Sequence, residues 1–118
     1  NPKVRVIVAN KGFGLEQLIV DKHWRVRCAV AQQGYGLDKL INDKDPDVRI
    51  AVARQGFGME TLLHDNDWSV RIELVKRGYG ILNLLNDPNW CVRKAASEFA
   101  HKLSTMPNNN YILPQKIA

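Results

Sequence analysis

The sequence predicts an all-α protein, an α-solenoid built from two-helix repeats of 22 residues. A Val-Arg pair recurs at this period, at residues 4–5, 26–27, 48–49, 70–71 and 92–93. A Gly-aromatic-Gly triplet recurs at the same period, at residues 12–14, 34–36, 56–58 and 78–80. A short fixed period is typical of stacked helical repeats, because one repeat alone cannot bury its apolar face.

The main helix of each repeat begins at a capping residue, whose side chain accepts otherwise unpaired backbone N–H groups. Pro or Trp follows each cap, and His23 is a weaker cap than Asp or Asn. Within the helix, Val48, Val52 and Ala53 share one face, which we predict to be core. The predicted caps are Asn1, His23, Asp45, Asp67 and Asn89.

The Gly-aromatic-Gly triplet predicts the end of the main helix. Gly56 and its equivalents suit the left-handed residue that closes a helix. A segment such as residues 37–42 then has apolar residues at helical spacing but little length, which predicts a short α or 3₁₀ helix. We expect the aromatic residues of the triplets to fill the seam between repeats. These are Phe13, Tyr35, Phe57 and Tyr79.

The last unit differs, because Ala100, His101 and Lys102 replace the triplet. Its helix is therefore predicted to continue from Trp90 to about Thr105 as a polar C-terminal cap. The predicted organisation is repeats 1–20, 21–42, 43–64 and 65–86, a capping unit 87–106, and an extended or disordered tail 107–118. In the tail, Tyr111, Ile112 and Leu113 are the apolar residues that could dock on the cap. The first unit lacks an opening Asp, so we expect a fragment or a trimmed N-terminus.

The run Asp43 to Ala53, with Leu62 and Leu63 closing the unit, resembles the leucine-rich-repeat-variant group of HEAT-like solenoids over residues 1–106. The resemblance implies a right-handed superhelix of alternating α and 3₁₀ helices, with the short segments on its concave side. It predicts a fold more specifically than a function.

Composition places the chain among ordinary globular proteins, with 45% apolar and 25% charged residues and a net charge of +5. No apolar run is long enough to span a bilayer. The first residues contain no signal-peptide pattern, and Cys28 and Cys91 lie in different predicted helices. These features predict a cytoplasmic protein with no membrane partner.

The recurring arginines admit two interpretations. Five guanidinium groups at a regular spacing can follow a phosphate backbone. However, a cation early in a helix is opposed by the helix dipole, so we expect each Arg to have a fixed acidic partner. The predicted structure is an Asp–Arg ladder between neighbouring repeats. Its acids are Asp21, Asp43, Asp65 and Asp87.

No pattern in the sequence predicts catalysis, a metal, a cofactor or a small-molecule substrate. The three histidines, His23, His64 and His101, lie in different repeats and have no Cys at metal-ligand spacing. The Gly-x-Gly motif follows a helix instead of a strand, so it is not a phosphate loop. Three tryptophans, Trp24, Trp68 and Trp90, precede basic residues and can stack bases, but we expect them to pack over the helix starts.

The leading hypothesis is a non-enzymatic scaffold that binds a protein or peptide on its concave surface. The short segments vary from acidic to partly apolar between repeats, which suits such a partner. The candidate binding residues are Glu16, Gln17, Asp38, Lys39, Glu60, Thr61, His64, Leu82 and Asn83.

The alternative is a nucleic-acid-binding solenoid that uses basic residues at the helix ends. Cations at a helix C-terminus also stabilise the helix, so the same residues have a structural explanation. The candidates for this alternative are Lys11, Arg54, Lys76 and Arg77.

Overall fold

The regular structure in the described part of the chain is entirely helical. A computed structural model describes residues 1–107, and the chain divides into two compact units, Asn1–Leu62 and Leu63–Ala118. The predicted positions of Tyr111, Ile112 and Leu113 lie outside the described residues. The helices are α1 (Pro2–Asn10), α2 (Leu15–Leu18), α3 (Trp24–Gln32), α4 (Leu37–Leu40), α5 (Pro46–Arg54), α6 (Met59–Leu62), α7 (Trp68–Lys76), α8 (Ile81–Leu84) and α9 (Trp90–Ser104).

Long and short helices alternate, and neighbours along the chain pack together within each unit. In the first unit, α3 packs between α1 and α5, and α2 and α4 join the long helices that flank them. In the second unit, α9 packs against α7 and α8. This sequential packing is that of an α-solenoid and confirms the predicted fold class. The short segments, left open between α and 3₁₀, are single α-helical turns.

The predicted core face of the long helices is buried. The side chains of Val48, Val52 and Ala53 of α5 are fully buried. Val26 and Val30 of α3 are fully buried as well. Capping side chains also act as predicted. Asp45 accepts a hydrogen bond from the backbone N–H of Asp47 at 2.8 Å, and Asn1, Asp67 and Asn89 act alike.

Each long helix before α9 is closed by a left-handed glycine, as predicted. Gly34 has φ +74°, and its N–H donates to the carbonyl of Ala31. The N–H of Tyr35 donates to the carbonyl of Val30. This pair of hydrogen bonds is the Schellman motif, which satisfies carbonyls that the helix end leaves unpaired.

The aromatic residues of the triplets do not fill the seam between repeats, so that prediction is wrong. Phe13 is 66% exposed, and Tyr35 and Phe57 are exposed too, while Tyr79 is half-buried. Aliphatic side chains pack against the second glycine of the triplet instead. Cδ1 of Ile19, from the preceding repeat, occupies the space that a Cβ on Gly36 would need. The same arrangement joins Ile41 to Gly58 and Leu63 to Gly80.

The predicted Asp–Arg ladder is confirmed for three pairs. The Arg27 guanidinium donates to both carboxylate oxygens of Asp43, at 2.7 and 3.1 Å. It also donates to the backbone carbonyl of Asp21, so it spans two repeats. The equivalent ion pairs are Arg5–Asp21 and Arg71–Asp87.

Helix α9 is long because no glycine triplet interrupts it. It ends at Ser104, with Thr105 as its C-cap, close to the predicted end. Phe99 packs over Gly78, where an added Cβ would lie 3.0 Å from the ring. The side chains of Lys94, Ser97 and Glu98 are exposed. The exposed surface of α9 therefore combines these polar side chains with Trp90.

Candidate functional site

An open groove of about 720 Å³ lies along the long helices of the first unit. It follows the face of each helix that is turned away from the valine core, at i, i+3, i+4 and i+7 spacing. Its lining residues are Pro2, Lys3, Val6 and Ile7 of α1, His23, Trp24, Arg25, Cys28, Ala29 and Gln32 around α3, and Asp47, Ile50, Ala51 and Arg54 of α5.

The floor of the groove is apolar. Ala29 and Ala51 are nearly buried, at 2% and 4% exposure, and their short side chains leave room above α3 and α5. Larger apolar side chains stand beside them, namely Ile7 from α1 and Ile50 from α5. A small apolar floor with larger apolar walls accepts an apolar side chain from a partner.

An aromatic and cationic cluster stands at the start of α3. The Arg25 guanidinium carbon lies 5.2 Å from the Trp24 ring centroid, within cation–π range. His23 stacks on the same ring, with centroids 6.1 Å apart and planes at 21°. The Nδ1 atom of His23 accepts the backbone N–H of Arg25 at 3.2 Å, so the predicted histidine cap is present. This cap also positions the aromatic ring that lines the groove.

The groove has more cations than anions. Lys3, Arg25 and Arg54 line it and are exposed, and Asp47 is the carboxylate among its lining residues. Opposite charges across an interface favour encounter and fix orientation. The excess of positive charge along the groove therefore favours an acidic ligand over a basic one.

Cys28 lies in the groove but is not an activated thiol. Burial raises the pKa of the Cys28 thiol to about 11, and Asp45, Asp47 and Asp43 contribute to the rise. The thiolate is the nucleophilic form of cysteine, so at neutral pH this side chain stays protonated and poorly reactive. No group of His, Cys, Asp and Glu among residues 1–107 has the arrangement of a metal site.

The sequence-predicted binding residues of the first unit lie outside the groove. Glu16 and Gln17 on α2 are exposed, as are Asp38 and Lys39 on α4. Glu60 and Thr61 on α6 are exposed as well. The short helices therefore present a polar surface, whereas the groove belongs to the long helices.

The remaining predicted residues belong to the second unit. His64 is exposed, and Leu82 and Asn83 on α8 are half-buried. His64 and Asn83 line a smaller depression of about 300 Å³, together with Asn86 and Asp87. Asp87 already binds Arg71, so the ladder occupies one wall of this depression.

The basic residues of the alternative hypothesis are exposed at the ends of long helices. Lys11 and Arg77 are the C-caps of α1 and α7, and Arg54 and Lys76 are the last residues of α5 and α7. Of those in the first unit, Arg54 lines the groove and Lys11 does not.

Two of the three tryptophans do not cover the helix starts. Trp68 and Trp90 are exposed, so the packing prediction is wrong for them. They occupy the first helical position, which lies off the Val-Ala stripe that neighbouring helices bury. Lys94 places its ammonium 5.3 Å from the Trp90 ring centroid.

Sequence reasoning missed the groove, although a signal was present. Apolar pairs recur off the core stripe of the long helices, at residues 6–7, 28–29 and 50–51. A helix that is apolar on two faces either packs on both or exposes one as a binding surface. The predictions used only the stripe that contains Val48 and Val52.

Residues 79–104 match the family model of the HEAT repeat, which supports a HEAT-like repeat family. HEAT repeats are commonly protein-interaction scaffolds, and this family is typically non-catalytic. The comparisons with curated proteins and with solved structures found no match. No described helix has the length and apolar character needed to cross a bilayer.

Proposed function

We propose that this chain, with its HEAT-like repeats, is a non-enzymatic scaffold that binds a protein or peptide segment in the groove of the first unit. The observation that carries the proposal is an apolar groove with a basic rim, open along α1, α3 and α5. The partner segment has large apolar side chains for the floor and acidic side chains for the rim.

The apolar part of the groove supports affinity. Trp24, Ile7 and Ile50 are partly accessible side chains around the alanine floor. Burying one large apolar side chain contributes about 1.5–3 kcal/mol, and aromatic and Arg residues are frequent energetic centres of interfaces. Two or three such anchors offset part of the entropy that a short segment loses on binding, which favours a weak and reversible interaction.

The charged rim supports the choice of an acidic partner. Lys3 and Arg25 occupy the same register position in neighbouring repeats, and both line the groove. Arg25 already contacts the Trp24 ring, which orders its guanidinium group. Arg25 therefore loses less side-chain entropy when it binds a carboxylate than a mobile lysine would.

The short-helix surface is a second proposed contact area of the same scaffold. Its variable side chains in the first unit, such as Lys39 and Glu60, are exposed and polar. Polar residues around an apolar centre are typical of an interface rim. A partner larger than a peptide would reach them, whereas a short peptide in the groove would not.

Selection from a displayed random-peptide library tests the proposal. We expect enriched peptides to combine aromatic or aliphatic residues with Asp or Glu. Their affinity, measured by fluorescence anisotropy, should fall at least about tenfold in the double variant Lys3→Glu, Arg25→Glu, which reverses the rim charge.

The matched control is the double variant Lys22→Glu, Lys44→Glu. These lysines are exposed in the same unit and do not line the groove. Both double variants replace two cations by two carboxylates, so they change the net charge equally. Equal loss of affinity in both double variants would contradict groove binding. A loss with Lys39→Glu but not with the rim variant would instead place the site on the short helices.

A further inference from the structure

One position of the long helices in the first unit changes its charge from repeat to repeat. It is the second residue of the helix, which is Lys3 in α1, Arg25 in α3 and Asp47 in α5. All three side chains are exposed and line the groove. The charge of these three positions, which we call the rim row, therefore runs positive, positive, negative from α1 to α5.

Equivalent residues follow one another at a constant step in this unit. Arg5 donates to Asp21 at 2.7 and 3.2 Å, and Arg27 donates to Asp43 at 2.7 and 3.1 Å. The long helices pack in chain order, α1 on α3 and α3 on α5. Because packed helices lie about 8–10 Å apart, we expect successive charges of the rim row to be separated by about the same distance.

A segment in the polyproline II conformation has a repeat close to this step. It has three residues per turn and rises about 3.1 Å per residue, so every third side chain points the same way, about 9 Å further along. In a β-strand, side chains alternate with a period of two, so residues three apart point to opposite faces. A polyproline II segment that crosses the three helices can therefore present one charged side chain to each of them.

Two residues separate neighbouring charges in such a segment, and the groove offers them apolar contacts. Ala29 of α3 and Ala51 of α5 form its floor, and the Trp24 ring lines it. Aromatic-lined grooves are the usual binding sites of polyproline II segments. The backbone of this conformation makes no internal hydrogen bonds, so its carbonyls are free to accept a donor such as a tryptophan N–H.

We propose that the groove selects a polyproline II segment with acidic, acidic and basic side chains at every third position. The two acids meet Lys3 and Arg25, and the cation meets Asp47. This inference rests on the proposed function of the groove and adds the spacing and the order of the charges. Asp47 is the specificity-determining residue, because a third acid in the segment would meet a like charge there.

The test compares labelled peptides of identical composition by fluorescence anisotropy with the whole chain. The matching peptides are Glu-Leu-Pro-Glu-Leu-Pro-Lys and its reversed sequence, which cover both chain directions. The control is Glu-Leu-Pro-Lys-Leu-Pro-Glu, which in either direction brings its lysine to Arg25 and a glutamate to Asp47. We expect one matching peptide to bind at least about tenfold more tightly than the control, because like charges across an interface are unfavourable.

Asp47→Lys should reverse the preference at the third position. We expect it to weaken the matching peptide at least about tenfold and to strengthen a peptide with Glu in place of the terminal Lys. The position accepts a cation, since Lys3 and Arg25 occupy it in the other repeats.

The matched protein control is Val20→Lys, Asn42→Lys. It raises the net charge by the same two units at exposed positions outside the groove. The order of peptide affinities should be unchanged in this variant.

The conformation is tested by replacing both prolines of the matching peptide with alanine. Affinity should fall, because proline preorganises the extended conformation and alanine favours a helix. Tighter binding of the alanine peptide would show that a helix occupies the groove, which contradicts the proposal.

Equal affinities for the matching and control peptides, all weakened by Lys3→Glu, Arg25→Glu, would overturn the charge order and leave groove binding intact. An equal effect of Asp47→Lys on peptides ending in Lys and in Glu would also overturn it. If no peptide binds and library selection enriches none, the proposed function fails together with this inference.

Discussion

The two glycines of each turn are needed for different reasons. Gly34 and Gly36 are both left-handed, with φ +74° and +64°, so a side chain strains the backbone at either position. Around Gly34 there is open space for a Cβ, whereas at Gly36 that space is taken by Ile19. The first glycine closes a helix, and the second allows two repeats to approach closely.

Alanine substitutions should separate these two roles. Gly34→Ala is expected to lower the free energy of unfolding by about 1–2 kcal/mol through backbone strain alone. Gly36→Ala should cost about 1 kcal/mol more, because the new methyl group overpacks against Ile19. Urea denaturation followed by circular dichroism measures both.

Ile19→Val provides the control, since it deletes the Cδ1 atom that the methyl group would overlap. In that background Gly36→Ala should cost no more than Gly34→Ala. An unchanged excess cost would show that Ile19 is not the obstacle.

The ladder carboxylate Asp21 also makes stability depend on pH. Hydrogen bonds from Arg5 lower the pKa of Asp21 below its ordinary value, about 3.9 in unfolded chains. The stabilisation from this group is therefore complete above that pH and is lost as the pH falls through the lower, folded-state pKa.

Asp21→Asn tests this dependence and keeps an oxygen for the N–H of His23. We expect a lower melting temperature than that of the original chain at pH 7, and a difference that shrinks steadily below pH ~4. A difference that is constant with pH would mean that the ion pair does not contribute.

At the scale of the helix, capping side chains determine where each long helix begins. The Asp45 cap accepts its N–H at 2.8 Å, while the His23 cap does so at 3.2 Å. A carboxylate also interacts favourably with the positive end of the helix dipole, which a neutral imidazole does not. The start of α3 is thus capped less strongly than that of α5.

Exchanging the two caps should reverse this difference. His23→Asp is expected to stabilise the protein by about 0.5–1 kcal/mol, and Asp45→His to destabilise it by a similar amount. Both are measured by thermal unfolding at pH 7. Destabilisation by His23→Asp would show that stacking of His23 on Trp24 outweighs its weaker cap.

Elements that depend on recurring residues were predictable. The caps, the left-handed Gly34 and Gly56 and the Asp–Arg ladder all follow from columns in the sequence, because local chemistry determines each of them. The groove was not predicted, because it exists only where three helices lie side by side. The sequence of α3 alone does not show whether the face with Cys28 and Ala29 is buried by a neighbouring helix or lines a groove.

At the scale of the molecule, the ladder binds three of the five recurring arginines to carboxylates, which weakens the interpretation of that column as a nucleic-acid site. The chain has 17 Lys and Arg against 12 Asp and Glu, but Arg5, Arg27 and Arg71 are bound to carboxylates. The exposed basic residues at the helix ends are divided between the two units, with Lys11 and Arg54 in the first and Lys76 and Arg77 in the second.

A salt titration distinguishes the two functions. We expect the chain to bind duplex DNA weakly at ~20 mM salt and to release it by ~150 mM, because few counterions are displaced. Binding that persists at ~150 mM salt would favour the nucleic-acid alternative. For that alternative to hold, the combined variant Lys11→Gln, Arg54→Gln, Lys76→Gln, Arg77→Gln has to weaken the binding of DNA. The control variant Lys22→Gln, Lys44→Gln has to leave it unchanged.

The geometry of the ladder bears on how such a chain changes length during evolution. Arg27 reaches a carboxylate sixteen positions ahead and a carbonyl six positions behind. Duplication or loss of one complete period in the gene preserves every such pair, whereas an insertion of one or two codons misaligns the partners across a junction. Selection against misaligned partners would keep the period constant while the number of copies varies.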